Sequence, residues 1–282
     1  MQLLHSATRN YSWGSRTLIP HLQGQPDSDK PVAELWFGAH PGDPSTVDGR
    51  LLNEVIAEDP AGQLGGRVSA EYGERLPFLL KVLAAEEPLS LQAHPSKAQA
   101  EEGFARENAA GIELTASNRN YKDDNHKPEL IVALTDFYAM AGFRPLARTR
   151  ELFAALECPE LDHYVAMLDD DPSATTESAN LRVLFTTWIT IPSAKRKELI
   201  SAIVAAGERL IAADPADWKS RVMSTVLDLN QRYPGDIGVL GALLLNHIEL
   251  SPGEAVYLDA GQLHAYVSGL GVEIMANSDN VL

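Results

Sequence analysis

Residues 121–134 read YKDDNHKPELIVAL, a polar cluster that runs directly into an apolar segment. Pro128 disfavours a helical conformation at the residue before it, so residues 127–129 are predicted to be extended. Because side chains alternate along a strand, Lys127 and Glu129 should share a face, and the apolar residues that follow predict a buried strand. The Lys127/Glu129 pair is then either an ordinary ion pair or an acid–base group beside a metal ligand.

Two further strand-like runs occur earlier, at 77–83 and 88–94, and each begins with a proline. In the second run, the strand period of two places Ser90, Gln92 and His94 on one face. That face is either the solvent side of an ordinary strand or a row of polar ligands. A helix is predicted to begin after it, with Ser96 as the N-cap.

The composition changes near residue 145. Segments 149–156, 178–189, 193–213 and 214–229 are helical in composition, with caps predicted at Ser193 and at Asp214-Pro215. Glycine is almost absent, since only Gly207 lies between Phe143 and Gly235. We therefore predict a helical subdomain inserted into a β scaffold.

Short strands are predicted to resume at 247–250, 255–258 and 264–267, with turns that contain proline or glycine between them. Closely spaced strands of this kind are typical of a barrel or a jelly roll. The glycines after residue 267 predict a hairpin that places His264 and Glu273 on neighbouring strands. Residues 277–280, Asn-Ser-Asp-Asn, are by default a loop.

The charge and the single cysteine restrict the partners. The formal net charge is −16, which argues against nucleic acid or an anionic membrane surface. No secretory signal is visible, and the longest apolar run, residues 237–245, is too short to cross a bilayer. Cys158 cannot form an intrachain disulfide, which is typical of a reducing compartment. We expect a cytoplasmic protein, and a phosphate ester substrate would need a local cluster of Lys or Arg.

A resemblance then connects these segments. Residues 121–129 match the signature Y-x-D-x-N-H-K-P-E of type I phosphomannose isomerases at every fixed position, and 264–280 resemble the family's second signature, H-A-Y-x-x-G-x-x-x-E-x-M-A-x-S-D-N. Residues 11–14, 33–41 and 92–95 are also similar to the family. The resemblance extends over the whole chain.

The resemblance implies a mainly β fold with an α insertion, which is a cupin jelly-roll barrel with an inserted all-helical subdomain. It assigns residues 1–144 and 233–282 to a catalytic β domain, with its C-terminal part incomplete, and 145–232 to the helices. In the family pattern an arginine that binds the substrate phosphate comes next after Leu282. We therefore expect a complete metal site, an incomplete phosphate site, weak substrate affinity and little activity.

The implied activity is a zinc-dependent aldose–ketose isomerisation between mannose 6-phosphate and fructose 6-phosphate through an enediol. One zinc ion per chain would be held by Gln92, His94, Glu129 and His264, a mixed N/O set typical of catalytic zinc. The implied partner is a small sugar phosphate, with no nucleic acid or membrane, and the chain is expected to be a monomer.

Roles for the other site residues follow from the same resemblance and the needs of the reaction. Proton transfer would fall to Lys127 or Glu273, and ring opening to His126. Asp279 would orient a substrate hydroxyl or Lys127, and Ser90 and Lys81 would bind the phosphate. The remaining histidines are interpreted as structural or surface residues: His5, His21, His40, His163 and His247.

Two alternatives stay open from the sequence. A cupin oxygenase would share the barrel and a metal, but it normally uses a 2-His-1-carboxylate set, whereas Gln92 here adds a fourth ligand. A sugar-binding cupin without catalysis would keep the fold and lose the charged site residues. The presence of Lys127, Glu129 and Glu273 argues against that.

Overall fold

The computed structural model describes residues 2–168 and 174–282. The chain divides into two compact units, the first made of Met1–Ala141 with Ile248–Leu282 and the second of Gly142–His247. No helix within the described residues is both long and apolar enough to span a membrane.

The first unit is rich in antiparallel sheet. In chain order the strands are β1 (Leu4–His5), β2 (Ala7–Arg9), β3 (Glu34–Gly38), β4 (Thr46–Val47), β5 (Arg50–Leu51), β6 (Phe78–Ala85), β7 (Glu129–Ala133), β8 (Phe137–Phe143), β9 (Leu245–Leu250), β10 (Ala255–Leu258) and β11 (His264–Ala276). The main sheet has the order β10-β7-β11-β6-β3-β2, with β8 paired to β11 and β9, and a small sheet has the order β1-β4-β5.

Short helices accompany these strands: α1 (Leu18–Leu22), α2 (Leu52–Glu58), α3 (Pro60–Leu64), α4 (Gly66–Tyr72) and α5 (Lys97–Ala109). Only α5 was predicted. Ser96 caps it as expected, because its hydroxyl accepts from the Gln99 backbone and the Gln99 side chain accepts in return from the Ser96 backbone.

Register across the main sheet places charged side chains on one face. Lys81 on β6 lies opposite Trp36 on one side and Glu273 on the other, and Glu129 on β7 lies opposite Met275. Residues directly opposite each other point to the same side of a sheet. Further along this face the residues are apolar and form the core: Leu83, Ile131, Ala133, Phe137 and Tyr266 among others.

The predicted hairpin after residue 267 is wrong. His264 and Glu273 lie on the same strand, β11, which pairs with β8 in its first part and with β6 and β7 in its second. Seven residues of straight strand would span about 23 Å, yet the Tyr266 hydroxyl lies 2.7 Å from the Glu273 carboxylate. The strand must therefore bend, and it does so where the register shifts after Tyr266 and Gly269 adopts a φ of 125°.

The predicted strand at 88–94 is also wrong. Only Gln92 forms a bridge there, by exchanging two backbone hydrogen bonds of 2.8 Å with His264. Prolines at both ends of the run, Pro88 and Pro95, lack the N–H groups that a longer ladder would need. Ser90 is exposed while His94 is buried, so the expected shared face does not extend to Ser90.

The second unit is helical, with α6 (Leu146–Leu156), α7 (Pro159–Val165), α8 (Ala174–Thr190), α9 (Ser193–Ala213), α10 (Trp218–Arg232) and α11 (Ile237–Ala242). Two predicted caps are wrong. Pro192 precedes α9, so Ser193 lies inside the helix, and Asp217 rather than Asp214 accepts from the first turn of α10. The apolar run 237–245 supplies α11, which was not predicted.

The core of the second unit is apolar, with Leu184, Trp188, Ile203 and Met223 fully buried. His247 faces the Ala242 carbonyl at 3.0 Å. Burial lowers the pKa of His247 to about 4, so it stays neutral near pH 7, which agrees with a structural role.

Candidate metal centre and active site

Three side chains converge in the first unit. His94 follows the irregular segment before α5, Glu129 is the first residue of β7, and His264 is the first residue of β11. Their ligand atoms all lie within 4.8 Å of one another. The exposed fractions of these residues are 2%, 4% and 4%, so the group is shielded from water.

Backbone carbonyls fix the orientation of both imidazoles. His94 Nδ1 lies 2.8 Å from the Asn280 carbonyl and His264 Nδ1 lies 2.8 Å from the Gln262 carbonyl. A carbonyl oxygen can only accept, so each Nδ1 must carry the proton and each neutral ring presents an Nε2 lone pair. This is the arrangement of metal-binding histidines, whose other nitrogen donates to a fixed acceptor.

Glu129 faces the Nε2 lone pairs of both imidazoles, so acceptor atoms meet acceptor atoms at the centre of the group. Its two oxygens lie 3.3 Å from His94 Nε2 and 3.3 Å from His264 Nε2. His94 Nε2 is buried without a hydrogen-bond partner. Burial raises the pKa of Glu129, and the Lys127 ammonium, with its Nζ 3.3 Å away, opposes that effect and favours the ionised carboxylate. Buried acceptors that face one another in this way suit a bound cation.

Gln92 lies next to this group. It is bridged to His264 by two backbone hydrogen bonds, and residues paired in this way point to the same face. Lys127 is also adjacent, with its Nζ 3.3 Å from a Glu129 oxygen. Lys127 and Glu129 therefore share a face, as the extended Lys-Pro-Glu segment predicted.

A second charged cluster lies on the same face of the sheet. Lys81 Nζ is 3.3 Å from Glu273 and 3.5 Å from Glu34, and all three are buried. The Tyr266 hydroxyl donates to Glu273 at 2.7 Å, and the Trp36 indole donates to Glu34 at 2.7 Å. Every member of this cluster therefore has a charged or hydrogen-bonded partner.

The pKa values of this cluster are shifted by burial and by charge. Burial, with the negative charge of Glu129, raises the pKa of Glu273, although Lys81 and Tyr266 partly oppose this. Burial lowers the pKa of Lys81, but the three nearby carboxylates outweigh it and raise that pKa. A carboxyl group with a raised pKa keeps its proton to a higher pH than an exposed glutamate does, which is a property of many acid–base groups in active sites.

Asp279 has an unexpected partner, His40. His40 Nε2 lies 3.1 Å from the Asp279 carboxylate, and its ring packs edge-on against Trp36. The hydrogen bond from His40 lowers the pKa of Asp279 in spite of its partial burial. His40 is therefore more than the structural or surface residue that the sequence predicted, because it contacts a predicted site residue.

Sequence reasoning gave no role to Glu34, Trp36, His40 or Tyr266. Each lies in a segment that resembles the family, 33–41 or 264–280, so the signal was present in the motifs. Their roles depend on cross-strand register and on the bend in β11, which the motifs do not specify.

Two predicted site residues lie apart from these clusters. Ser90 and His126 are exposed, and no hydrogen bond or ion pair within residues 2–168 and 174–282 joins either to the metal ligands. His126 lines a groove of about 620 Å³ together with Arg67, Arg75 and Lys97, and the metal ligand candidate Glu129 also lines this groove. Their predicted roles in phosphate binding and ring opening stay predictions.

Known proteins resemble the chain throughout. A family model described as "Phosphomannose isomerase type I, catalytic domain" matches residues 1–146. The mannose-6-phosphate isomerase of Escherichia coli K12 is 40% identical over the whole chain, which covers 70% of that relative. Mannose-6-phosphate isomerase 1 of Arabidopsis thaliana is 34% identical, with 66% of its length covered.

Solved structures of mannose 6-phosphate isomerases also resemble the chain. The mannose 6-phosphate isomerase of Salmonella typhimurium, bound to substrate and to zinc, is 38% identical with a TM-score of 0.86, and the chain covers 69% of it. The predicted cupin fold with a helical insertion is thereby confirmed, and an oxygenase or a non-catalytic sugar-binding cupin is not favoured. With this identity over its full length and a match to the catalytic-domain model, the chain belongs to the type I phosphomannose isomerase family.

Proposed function

We propose that the chain is a zinc-dependent aldose–ketose isomerase that interconverts mannose 6-phosphate and fructose 6-phosphate. The observation that carries the proposal is the convergence of His94, Glu129 and His264, whose lone pairs meet in a buried site beside Lys127. Similarity to an isomerase that binds both zinc and its substrate supports the substrate class.

The metal would be held by Gln92, His94, Glu129 and His264. Two neutral imidazoles, one amide and one carboxylate offset a single charge of a divalent ion. When bound, zinc supplies a Lewis acid that polarises the carbonyl and hydroxyl oxygens of the sugar. The shift of Glu129 toward its ionised form suits it to bind a cation.

Proton transfer between the two sugar carbons needs a group that can accept and return one proton. Glu273 meets this need because its raised pKa brings its protonated and ionised forms closer in energy at neutral pH. Its Oε1 accepts from Tyr266 and its Oε2 faces Lys81, so the carboxyl group is fixed in orientation. Lys127 is the second candidate, with Nζ close to Glu129.

The contacts of Lys81 and Asp279 support more specific roles for these two residues. Lys81 already faces two carboxylates, which favours a role in holding Glu273 over the predicted role in phosphate binding. Asp279, held by His40, presents a carboxylate that can accept from a substrate hydroxyl. The proposal also includes a monomeric state and a cytoplasmic location. Cys158 is buried and forms no disulfide, which is consistent with a reducing compartment.

The test is a coupled assay with mannose 6-phosphate on zinc-loaded and chelator-treated protein. Chelation should abolish activity and added zinc should restore it. His94→Ala and His264→Ala should each lose most of the bound zinc, because the first shell is then incomplete. His163→Ala, an exposed histidine of α7, is the matched control and should keep both metal and activity. Full zinc content in the two ligand variants would contradict the ligand set.

A further inference from the structure

A hydrogen-bond network joins the segment 121–129 to the loop after β11. Asp123 Oδ1 accepts from the Ser278 hydroxyl at 2.8 Å, and Asp123 Oδ2 accepts from the Asp279 backbone N–H at 2.7 Å. Asn280 Nδ2 donates to the Asp123 carbonyl at 2.9 Å. We call Asp123, Ser278, Asp279 and Asn280 the Asp123 network.

Asn280 is the most completely bonded member. Its side-chain oxygen accepts from the backbone N–H groups of Lys122 and Asp123, at 2.7 and 3.2 Å, and its amide also donates to the Asn125 carbonyl at 2.9 Å. The side chain is fully buried. A buried amide with both of its ends satisfied holds its own backbone in one position.

The Asn280 backbone supplies the carbonyl that accepts a hydrogen bond from His94, a proposed metal ligand. The Asn280 carbonyl receives the Nδ1–H of His94 at 2.8 Å, which fixes the ring so that Nε2 points to Glu129 and His264. The same network fixes the backbone of Asp279 through its N–H group. The side-chain carboxylate of Asp279 accepts a hydrogen bond from His40. Asp123 is therefore connected to the proposed zinc ligand His94 and to Asp279 without touching the side chain of either residue.

We propose that Asp123 is a positioning residue of the metal centre, which acts through Ser278 and Asn280 to hold the carbonyl that orients His94. The proposal rests on the zinc ligand set proposed above. Partners of this indirect kind change metal affinity by about 10- to 100-fold when they are removed.

An isosteric substitution isolates the carboxylate. Every group that faces the Asp123 side chain is a donor: the hydroxyl of Ser278, the amide of Asn280, and the backbone N–H groups of Asn125 and Asp279. In Asp123→Asn, whichever way the amide turns, its NH₂ group must face at least one of these donors. Size is preserved, so the substitution disturbs the network without making a cavity.

The experiment compares zinc affinity, measured by competition with a chromophoric chelator, in the wild type, Asp123→Asn and Asp124→Asn. Asp124 is the neighbouring carboxylate, outside the network, so its variant has the same change in charge. We expect a zinc Kd about 10- to 100-fold higher for Asp123→Asn, and a change within about twofold for Asp124→Asn. In nitrogen-labelled protein, the Nδ1–H resonance of His94 should shift or broaden only in Asp123→Asn.

An unchanged Kd for Asp123→Asn, even with a lower melting temperature of the apo protein, would overturn the proposal, because the network would then stabilise the fold and not the metal centre. If Asp123→Asn does not fold, Ser278→Ala keeps the carboxylate and removes one donor. It should raise the zinc Kd by a smaller factor, and an unchanged Kd there would overturn the proposal. Failure of the wild type to bind zinc would instead contradict the ligand set on which it rests.

Discussion

Individual buried charges determine what the active site can do. Lys81 lies between Glu34 and Glu273, so a buried ammonium is surrounded by carboxylates and stays charged. Glu273 receives opposing influences, since burial and Glu129 raise its pKa while Lys81 and Tyr266 lower it. The single hydrogen bond from the Tyr266 hydroxyl is the influence that can be removed most cleanly.

Tyr266→Phe is expected to move the pH dependence of kcat/KM. Donation by Tyr266 stabilises ionised Glu273, so its loss raises the pKa of Glu273 further. If Glu273 must be ionised to accept the proton, the acid limb of the profile should shift to higher pH. The substitution also leaves the buried Glu273 Oε1 without its donor, which should lower the free energy of unfolding by about 1–3 kcal/mol.

Tyr138→Phe is the matched control for that measurement. The Tyr138 hydroxyl donates to Glu249 at 3.3 Å, but the pair is exposed. The same change should therefore leave the acid limb in place and alter the stability by less than about 0.5 kcal/mol. An unshifted profile in Tyr266→Phe would exclude Glu273 as the group that titrates in the free enzyme.

At the scale of elements, the strand β11 shows what the sequence predicted and what it missed. The motif placed His264 and Glu273 near each other, but a hairpin was the wrong way to connect them. A glycine-rich segment in an apolar run is compatible with a turn or with a bulge, and only the partners β6, β7 and β8 distinguish these. The residues were predictable, whereas the bend depends on contacts far away in the chain.

Gly269→Ala should disrupt the bend of β11. Gly269 has a φ of 125°, and a Cβ there would lie 2.7 Å from the Asp136 carbonyl oxygen. Gly253→Ala is the control, since its φ is 92° but nothing lies within 4 Å of the added atom. Backbone strain of about 1–3 kcal/mol is expected in both, since both positive φ values lie in regions that residues other than glycine rarely adopt.

The close contact adds about 1–3 kcal/mol in Gly269→Ala alone. Denaturant unfolding of the two variants measures this difference directly. Equal losses of stability would show that the backbone relaxes around residue 269 and that the close approach of Asp136 does not hold the bend.

The helix caps give a second prediction at this scale. Ser96→Ala removes an acceptor of the capping box of α5 and should destabilise the protein by about 1 kcal/mol. Ser193→Ala should change the stability by less than about 0.5 kcal/mol, because Ser193 is an exposed residue inside α9. Comparable losses in the two variants would mean that Ser193 contributes to the start of α9 after all.

At the scale of the whole molecule, the fold class and the grouping of His94, Glu129 and His264 were predictable, and the connections between charged groups were not. Each proposed metal ligand lies in a short motif that resembles the family, and it is this resemblance, more than strand periodicity, that predicted the set. The contacts of His40 with Asp279 and of Lys81 with Glu34 join residues far apart in the chain. Such pairs depend on register and loop packing, which no short motif specifies.

Zinc should stabilise the chain unevenly, because all four proposed ligands lie in the unit formed by Met1–Ala141 and Ile248–Leu282. A ligand that binds only the folded state adds about 2.7 kcal/mol when its free concentration is 100 times Kd. Hydrogen exchange with and without chelator should therefore show the largest zinc-dependent protection in β7 and β11, which each begin at a ligand. The amides of α9 and α10 serve as the internal reference. Protection gained mainly in those two helices would place the zinc elsewhere and would contradict the ligand set.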